Sequence, residues 1–408
     1  MTKTEIINAA FRVWGRNFYR KTSLSQLAGE LGVSKPALYR HFENKQALTD
    51  AMTESFLDDF TASVKPEFEK ALLDKDPDNG ISTIVRGISG FFADNVYALV
   101  FSLINIYDRS LDGKEIVEKL KSRGVDMAVL QLVIEKKYSG TPTVVRLVFA
   151  TLTFLMSNFH KTKKSMQKQP SAEEKKNIIE AVHKTVINGL KLTTELNYEK
   201  LEKQAEEMPL DAEPEPFFKA VAEAVAEAGP WDVSMEMVAK RLGLSKSSLY
   251  VHFKNRKDML RRLFVTEFKR IIDFARQGIA LSSDTAEQLY LGIFSIAIYI
   301  RSRPEILIAM DWIRTRKLEL GKPDKDLEIF RLFEDVDIEP PPYMIMHNSA
   351  DEDRQRISHW ILFLLINILT NPDGSEHKIS YDTLKSGIDM QNNNLRVLYK
   401  YITSGLGG

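Results

Sequence analysis

At 408 residues the chain is long enough for two or three domains, and 44% hydrophobic beside 27% charged residues permit buried cores in a soluble protein. It contains no cysteine, which excludes disulfides and thiolate metal sites and is compatible with a reducing compartment. The formal net charge is zero, from 56 basic and 56 acidic residues, so the total charge gives no sign of a nucleic-acid partner.

The start of the chain lacks a secretory pattern, because charged residues between Lys3 and Arg12 are mixed with apolar residues at helical spacing. The most apolar stretches are 144–156, 290–300 and 360–369. Each is shorter than the roughly 18 residues that suggest a membrane span. We therefore expect a cytoplasmic protein with buried apolar helices and no membrane partner.

The first 50 residues predict one helix followed by a helix-turn-helix motif. The first helix has an apolar stripe made of Ile6, Ile7, Ala10, Phe11 and Trp14. Ser23 with Gln26 has the spacing of a capping box, which predicts the start of the second helix. Gly32 suits the turn because glycine reaches positive φ at little cost, and Ser34 is expected to cap the third helix.

One long helix and then apolar helical segments are predicted beyond the motif, with no convincing period-2 strand pattern. The last two helices of the first half are expected at about Pro142 to Lys161 and Ser171 to Glu195. Between Glu195 and Pro216 the sequence becomes strongly charged and then carries three prolines within eight residues. Because proline interrupts helices, we expect the joint between two halves there.

The second half repeats the first at a constant offset of 211 residues. Its opening apolar stripe is Phe217, Phe218, Val221, Ala222 and Val225. Between Ser23 and Leu48, the residues that recur unchanged are Ser23, Ala28, Leu31, Gly32, Ser34, Lys35, Leu38, Tyr39, His41, Phe42 and Asn44. Its last two helices are expected at about Asp351 to Thr370 and Tyr381 to Ser404.

These patterns predict an all-α protein of two tandem halves. The expected domains are helix-turn-helix domains at 1–50 and 217–262, helical regulatory and pairing domains at 51–205 and 263–408, and a linker at 206–216. The two antiparallel helix pairs would close a four-helix bundle, so that one chain forms an internal pseudo-dimer. Further pairing of two chains stays open.

Positive charge is concentrated around the two motifs of this neutral chain. From Met1 to Asp50 eight basic residues face four acidic ones, a net +4, and from Val233 to Arg270 ten face three, a net +7. Such a distribution is expected when only those surfaces meet phosphate.

The outward side of each second motif helix carries hydrogen-bond donors. With Leu38 and Phe42 expected in the core, the side chains left outward in the first copy are Lys35, Pro36, Ala37, Tyr39, Arg40 and His41. The pair at 44–45, repeated at 255–256, places a cap and a cation at a helix start, where free N–H groups already favour phosphate. Tyrosine, histidine and a cation can all donate to a phosphate oxygen.

The segment from Gly32 to Leu48 reads Gly-Val-Ser-Lys-Pro-Ala-Leu-Tyr-Arg-His-Phe-Glu-Asn-Lys-Gln-Ala-Leu and resembles the signature of the tetracycline-repressor (TetR) family. The segment from Gly243 to Met259 resembles it almost as well. The likeness covers about 45 residues in each half. It implies an all-α, DNA-binding regulator, expected to be a repressor, whose C-terminal domain binds a small-molecule effector and pairs through two helices.

The resemblance also implies roles for particular residues. Phosphates would be held by Tyr39, His41, Lys45, Tyr250, His252 and Arg256. Base edges or nearby backbone would be approached by Lys35, Pro36, Ala37, Arg40, Lys246, Ser247, Ser248 and Val251, next to the capping residues Ser34 and Ser245. Because the two recognition surfaces differ, we expect an asymmetric double-stranded DNA operator, with half-sites about 34–36 Å apart or a multiple of that distance.

Several alternatives remain. Only one of the two motifs could contact DNA, or the chain could be a helical scaffold that binds no DNA. An enzyme is disfavoured, because the seven histidines show no metal spacing and no nucleophile elbow, phosphate loop or paired-carboxylate signature accompanies them. We expect no catalytic residue, metal site or cofactor. The aromatic residues that could line an effector cavity, but are favoured as plain core, are Phe91, Phe92, Tyr97, Phe101, Tyr107, Phe294, Tyr299, Trp312 and Trp360.

Overall fold

The computed structural model describes residues 2–16, 23–107, 113–135, 141–165, 170–192, 195–210, 216–303, 332–333, 336–345, 350–370 and 392–407. Within these ranges all regular structure is helical and no β-strand occurs, which confirms the all-α prediction. The chain divides into two compact units, Met1–Val186 and Ile187–Gly408.

The helices described up to the boundary between the units follow one another with short connections. They are α1 (Lys3–Arg16), α2 (Leu24–Glu30), α3 (Lys35–Tyr39), α4 (Lys45–Leu73), α5 (Pro77–Asp94), α6 (Val96–Tyr107), α7 (Gly113–Ser122), α8 (Ala128–Glu135), α9 (Thr141–Ser165) and α10 (Ala172–Asn188).

The described helices of the second unit start with one additional short helix, and the next five resemble the first five helices of the chain in order and approximate length. They are α11 (Tyr198–Glu206), α12 (Pro216–Asp232), α13 (Met235–Arg241), α14 (Lys246–His252), α15 (Arg256–Ile279), α16 (Thr285–Ser302), α17 (Ala350–Thr370) and α18 (Asn392–Ser404), with one 3-10 turn at Pro342–Met344.

An aromatic cluster forms the core of the first unit. Phe56 and Phe60 of α4 lie against Phe91 of α5, with ring centroids 6.2 Å and 5.2 Å apart. Phe11 of α1 meets Phe101 of α6 edge-on at 5.0 Å. Because such contacts add to the area they bury, they fix α1 against the helices that follow the motif.

Most of the predicted apolar residues are buried where the structure describes their side chains, and the others are half-buried. Buried members of the two opening stripes are Ile6, Ile7, Ala10, Phe218, Val221, Ala222 and Val225, and those of the aromatic set are Phe91, Phe92, Phe101, Phe294, Tyr299 and Trp360. The half-buried members are Phe11, Phe217 and Tyr97. Trp312 and the side chains of Trp14 and Tyr107 lie outside the described residues.

The window Thr143–His160 of α9 is 18 residues long and apolar enough to cross a membrane, so this apolar stretch is longer than expected from the sequence. Since 67% of the window is buried inside the protein, α9 has the character of a core helix. The bent pair α5–α6 also passes the same composition test when its two parts are joined, across a bend of 107°.

The second unit is organised around α16, almost all of which is buried. The carboxylate of Glu267 on α15 accepts hydrogen bonds from Tyr299 Oη (2.7 Å) on α16 and from Arg303 Nη1 (2.8 Å), which follows that helix. Glu267 and Arg303 are 2% and 3% exposed, so this pair is shielded from solvent. It ties the long helix after the second motif to the centre of its unit.

The division into units differs from the predicted boundary at 205, because α11 packs on α16 of the second unit. Glu202 of α11 accepts hydrogen bonds from Tyr290 Oη (2.6 Å), Asn392 Nδ2 (3.0 Å) and Arg396 Nε (2.7 Å). Burial alone would raise the pKa of Glu202, but these three donors outweigh it and lower the pKa. The charged stretch that was expected to end the first half therefore packs within the second unit. Of the predicted linker, only 206–210 and 216 are described.

Helix α10 ends at Asn188 and not near Glu195 as predicted. The chain leaves the helix at Gly189 (φ 54°) and Lys191 (φ 57°), both in the left-handed region. The Leu190 N–H then donates to the carbonyl oxygen of Ile402 at 2.8 Å. A contact with a residue distant in sequence therefore accompanies the end of this helix. The predicted start of the last helix, at Tyr381, lies outside the described residues.

Candidate nucleic-acid interface

The first helix-turn-helix is built by local hydrogen bonds. Ser23 N donates to Gln26 Oε1 (2.7 Å) and Gln26 N donates to Ser23 Oγ (3.2 Å), which completes the predicted capping box. Gly32 adopts φ 64°, and Val33 N donates to Ala28 O at 3.0 Å. Helix α2 is therefore closed at both ends, and a capping serine contributes about 1 kcal/mol.

The second helix-turn-helix repeats this construction. Ser234 Oγ accepts from Met237 N (3.2 Å), Gly243 has φ 66°, and Leu244 N donates to Ala239 O (2.9 Å). Because Met237 stands where the first copy has glutamine, the reciprocal bond of the capping box has no counterpart. The turn is otherwise the same.

Helix α3 presents most of its predicted contact residues to solvent. Ser34 caps it by accepting from Ala37 N at 3.3 Å, and the fully buried Leu38 anchors its inner side. The exposed side chains are Lys35, Pro36, Tyr39, Arg40 and His41, while Ala37 is half-buried. Lys35 Nζ lies 5.7 Å from the centre of the Tyr39 ring, so a cation and a phenol share one patch.

Helix α14 also buries one leucine and turns its other side to solvent, but its exposed side chains differ chemically from those of α3. Leu249 is fully buried, and the outward side chains are Lys246, Ser247, Tyr250, Val251 and His252, with Ser248 half-buried. Ser245 Oγ lies 2.8 Å from Ser247 Oγ and 2.7 Å from Ser248 Oγ. Val251 is 83% exposed, an apolar group of the kind that can contact a thymine methyl.

The cations at the next helix starts are less exposed than the sequence suggests. Lys45 is half-buried, and burial lowers its pKa. Arg256 is also half-buried, and its Nη1 donates to the carbonyl oxygen of Val233 at 3.2 Å. Asn44 and Asn255 cap these helices as predicted, accepting from backbone N–H groups at 2.9 Å in both copies. At the first position of each of these helices, the cation is thus held close to the protein.

Two contacts of the second copy have no counterpart that sequence reasoning identified. His252 meets Phe217 edge-on at 5.6 Å, where the first copy has Ile6. Lys246 Nζ lies 4.0 Å from a carboxylate oxygen of Glu236, where the first copy has Ser25. Alignment of the two copies by the 211-residue offset could have indicated both differences.

Among the residues that the structure describes, no group of three or more His, Asp or Glu side chains is arranged to hold a metal ion.

Two capped helices joined by a glycine turn, with the second helix turned outward, define a helix-turn-helix protein. The family described as bacterial regulatory proteins, tetR family, matches the chain at residues 6–52 and again at 218–263. The N-terminal domain described by the tetR family model therefore occurs twice in this chain, which confirms the two tandem halves predicted from the sequence.

One curated relative is similar to part of this chain. The HTH-type transcriptional repressor ComR of Escherichia coli (strain K12) is 28% identical over 118 residues, which are 29% of this chain and 55% of the relative. The chain thus spans about half the length of the curated relative it matches.

Two solved structures are similar to parts of this chain. The TetR family transcriptional regulator PfmR from Thermus thermophilus is 21% identical and covers 44% of this chain and 95% of its own, with a TM-score of 0.34. The fatty acid degradation regulator FadR from Bacillus halodurans is 16% identical and covers 47% of this chain and 97% of its own, with a TM-score of 0.32.

Proposed function

We propose that this protein is a DNA-binding transcription regulator, and that each of its two motifs inserts a recognition helix into the major groove. The observation that carries the proposal is the duplicated turn: Gly32 and Gly243 have the same left-handed φ, and each precedes a capped helix with an outward cation and tyrosine. An exposed face of this kind donates to phosphates and base edges.

The proposal gives single side chains the roles that the resemblance to the TetR family implies. Tyr39, His41 and Lys45 hold phosphates in the first half-site, and Tyr250, His252 and Arg256 do so in the second. Base edges and nearby backbone are reached by Lys35, Pro36, Ala37, Arg40, Lys246, Ser247, Ser248 and Val251, beside the caps Ser34 and Ser245. Phosphate contacts fix the register of the protein, whereas the groove contacts select the sequence.

The operator of this regulator is asymmetric. Arg40 of α3 is replaced by the exposed Val251 in α14, and the Pro36-Ala37 pair is replaced by two serines whose hydroxyl groups cluster with Ser245 Oγ. A guanidinium reads guanine O6 and N7, whereas an aliphatic group reads a thymine methyl. The two half-sites therefore differ in base sequence.

A small-molecule effector controls binding, in this proposal, by moving the first motif. Phe11 of α1 touches Phe101, which is 6.1 Å from Phe56, which in turn contacts Phe91. This chain of rings joins the opening helix of the motif domain to the interior of its unit. A ligand shifts the motif only when it binds one of two arrangements better than the other.

The proposal includes an internal pseudo-dimer in the cytoplasm, in which the last two helices of each half form a four-helix bundle. On this basis one chain is a complete reader of an operator. A solution mass near the 46.6 kDa of the single chain is the expected result, and a value twice as large would indicate a four-reader assembly.

The proposed function is tested by selecting duplexes from a random pool with the full chain and then measuring affinity by fluorescence anisotropy at several salt concentrations. The expected consensus has two unequal half-sites. In the Tyr39→Ala/Lys45→Ala variant, binding should weaken on all duplexes and the salt slope should fall by about 1 for each lost phosphate contact. A scaffold without DNA binding would select nothing, and a single working motif would select one half-site.

A further inference from the structure

The two motif domains carry the same net charge but place it on different helices. Residues 6–52 hold seven basic and three acidic residues, and the matched residues 217–263 hold nine and five, so both amount to +4. The equality conceals several charge reversals between matched positions. These reversals move positive charge from the helix before the motif to the helix after it.

The helix before the motif is basic in the first copy and acidic in the second. Arg12 and Arg16 of α1 correspond to Glu223 and Glu227 of α12, and Glu30 corresponds to Arg241. Arg241 forms ion pairs with both carboxylates, with Nε 3.9 Å from Glu223 Oε2 and Nη2 in contact with Glu227. One guanidinium thus balances one of these two negative charges, and α12 offers no positive surface at these positions.

The helix after the motif shows the opposite change. The first-copy residues Glu43, Gln46, Asp50 and Ala51 correspond to Lys254, Lys257, Arg261 and Arg262. Across 43–51 the net charge is −1, because one lysine faces two acids, whereas across 254–262 it is +4, because five cations face Asp258.

Three of the positions that carry cations near the start of α15 fall on one side of the helix. At about 100° per residue, positions 257, 261 and 262 lie within an arc of about 140°. Met259 and Leu260, which are buried, lie on the opposite side, and Lys254, Arg261 and Arg262 are exposed. Arg262 Nε donates to Asp258 Oδ1 at 2.9 Å, while Asp258 Oδ2 accepts from Lys254 N at 3.0 Å. The one acid of this segment is thereby used within the helix start.

In the first copy the same face of α4 is neutral to acidic. Gln46 Nε2 donates to Asp50 Oδ1 at 2.8 Å, and the bond lies at the protein surface. A phosphate near this surface would meet a carboxylate, whereas a phosphate near the matched surface of α15 meets guanidinium and ammonium groups. Because the charges at matched positions have opposite sign, the two surfaces should differ in their affinity for the phosphates of DNA.

We infer that the exposed cations Lys254, Arg261 and Arg262 around the start of α15 form a phosphate-binding surface that extends the second motif domain along the DNA backbone and has no equivalent in the first. This inference rests on the proposed function, since it assigns the backbone of the second half-site to that surface. The second motif domain then contributes more of the sequence-independent, salt-sensitive affinity for DNA. A larger share of the affinity of the first motif domain comes from its recognition helix.

The test exchanges the two surfaces in the full chain. One variant takes the first-copy residues at the second site (Lys254→Glu, Lys257→Gln, Arg261→Asp and Arg262→Ala), and the other makes the reverse changes (Glu43→Lys, Gln46→Lys, Asp50→Arg and Ala51→Arg). A milder variant, Lys257→Gln/Arg261→Gln/Arg262→Gln, removes charge without adding acid. Far-ultraviolet circular dichroism verifies the helical content of each variant.

Fluorescence anisotropy on the selected operator should show that the first variant lowers the slope of log K against log salt by about 3, that the milder variant lowers it by about 2, and that the reverse variant raises it. In phosphate ethylation interference, the first variant should lose its interfering phosphates at the second half-site only. If folded variants kept the wild-type salt slope and the wild-type pattern of interfering phosphates, the inference would be overturned while the proposed function stayed intact. A wild-type chain that binds no duplex would overturn the proposed function first.

Discussion

Gly32 and Gly243 lie 211 positions apart and adopt nearly the same left-handed backbone, with φ of 64° and 66°. No heavy atom lies within 4 Å of a Cβ added at either position, so alanine would fit sterically. The cost of alanine is therefore purely conformational. We expect Gly32→Ala and Gly243→Ala each to lower the free energy of unfolding of its unit by about 1–2 kcal/mol, as measured by chemical denaturation.

Gly29→Ala is the matched control for these two substitutions. Gly29 lies within α2, and an added Cβ again meets nothing within 4 Å. Because alanine is the better helix former, this change should be neutral or stabilise by up to roughly 1 kcal/mol. If all three variants had the same stability, the left-handed turn would not be the feature that selects glycine.

The sequence preference of the second recognition helix should follow three of its side chains. Replacing Ser247→Pro, Ser248→Ala and Val251→Arg gives α14 the outward residues of α3, while Leu249 keeps the packing unchanged. Proline is tolerated at this position, since Pro36 occupies the same turn of α3. Random-pool selection should then return a more symmetric operator. An unaltered consensus would show that these side chains do not read bases.

The hydrogen-bonded Glu202 should be a sensitive polar position of the second unit. Glu202 is 6% exposed and its carboxylate accepts from Tyr290, Asn392 and Arg396, so that removing it leaves several donors without their partner. Because the Arg396 side chain is 32% exposed and can be solvated once its partner is removed, we expect Glu202→Ala to cost about 1–3 kcal/mol, measured as a loss of thermal and denaturant stability. Glu199→Ala, an exposed change on the same helix, should stay within about 0.5 kcal/mol of wild type.

Two histidines should make the first unit less stable in acid. Burial lowers the pKa of His160, whose Nε2 donates to the carbonyl oxygen of Phe92 at 2.8 Å, and a coulombic contribution from Lys175 acts in the same direction. Burial lowers the pKa of His183 as well, and Arg86 lowers it further, with Nη2 3.1 Å from His183 Nδ1, although Glu180 opposes this.

Because both folded-state pKa values lie below the ordinary 6.5, the unfolded chain takes up protons first as the pH falls. The stabilising contribution is therefore complete above pH 6.5 and is lost as the pH falls towards the folded pKa values. Unfolding measured across this range should show a slope that His160→Gln and His183→Gln each reduce. Ser82→Ala removes only the hydroxyl partner of His183 Nε2, and should lower stability without changing the slope.

Local features of the motifs could be predicted from the sequence because their contacts are local. Ser23, Ser34 and Ser245 accept from N–H groups three residues on, and the burial of Leu38 follows from helical spacing. Short hydrogen bonds of this kind are encoded by residue type at fixed offsets.

Features that depend on distant partners could not be predicted in the same way. Glu202 is one of many acids between 195 and 216, and nothing in that stretch identifies Tyr290 and Arg396 as its partners. Likewise, the engagement of Arg256 by the carbonyl oxygen of Val233 depends on how α12 and α13 bring that carbonyl to the start of α15. The identity of the side chain was predictable, whereas its orientation was set by packing.

The covalent union of both TetR-type domains in one polypeptide also affects how the protein responds to dilution. A regulator assembled from separate subunits loses half of its binding surface when its concentration falls below the dissociation constant of the dimer. In the present chain the second domain stays at an effective concentration fixed by the tether, independent of expression level. For the proposed single-chain pseudo-dimer, operator occupancy should therefore rise with the first power of protein concentration, even when only a few molecules are present per cell.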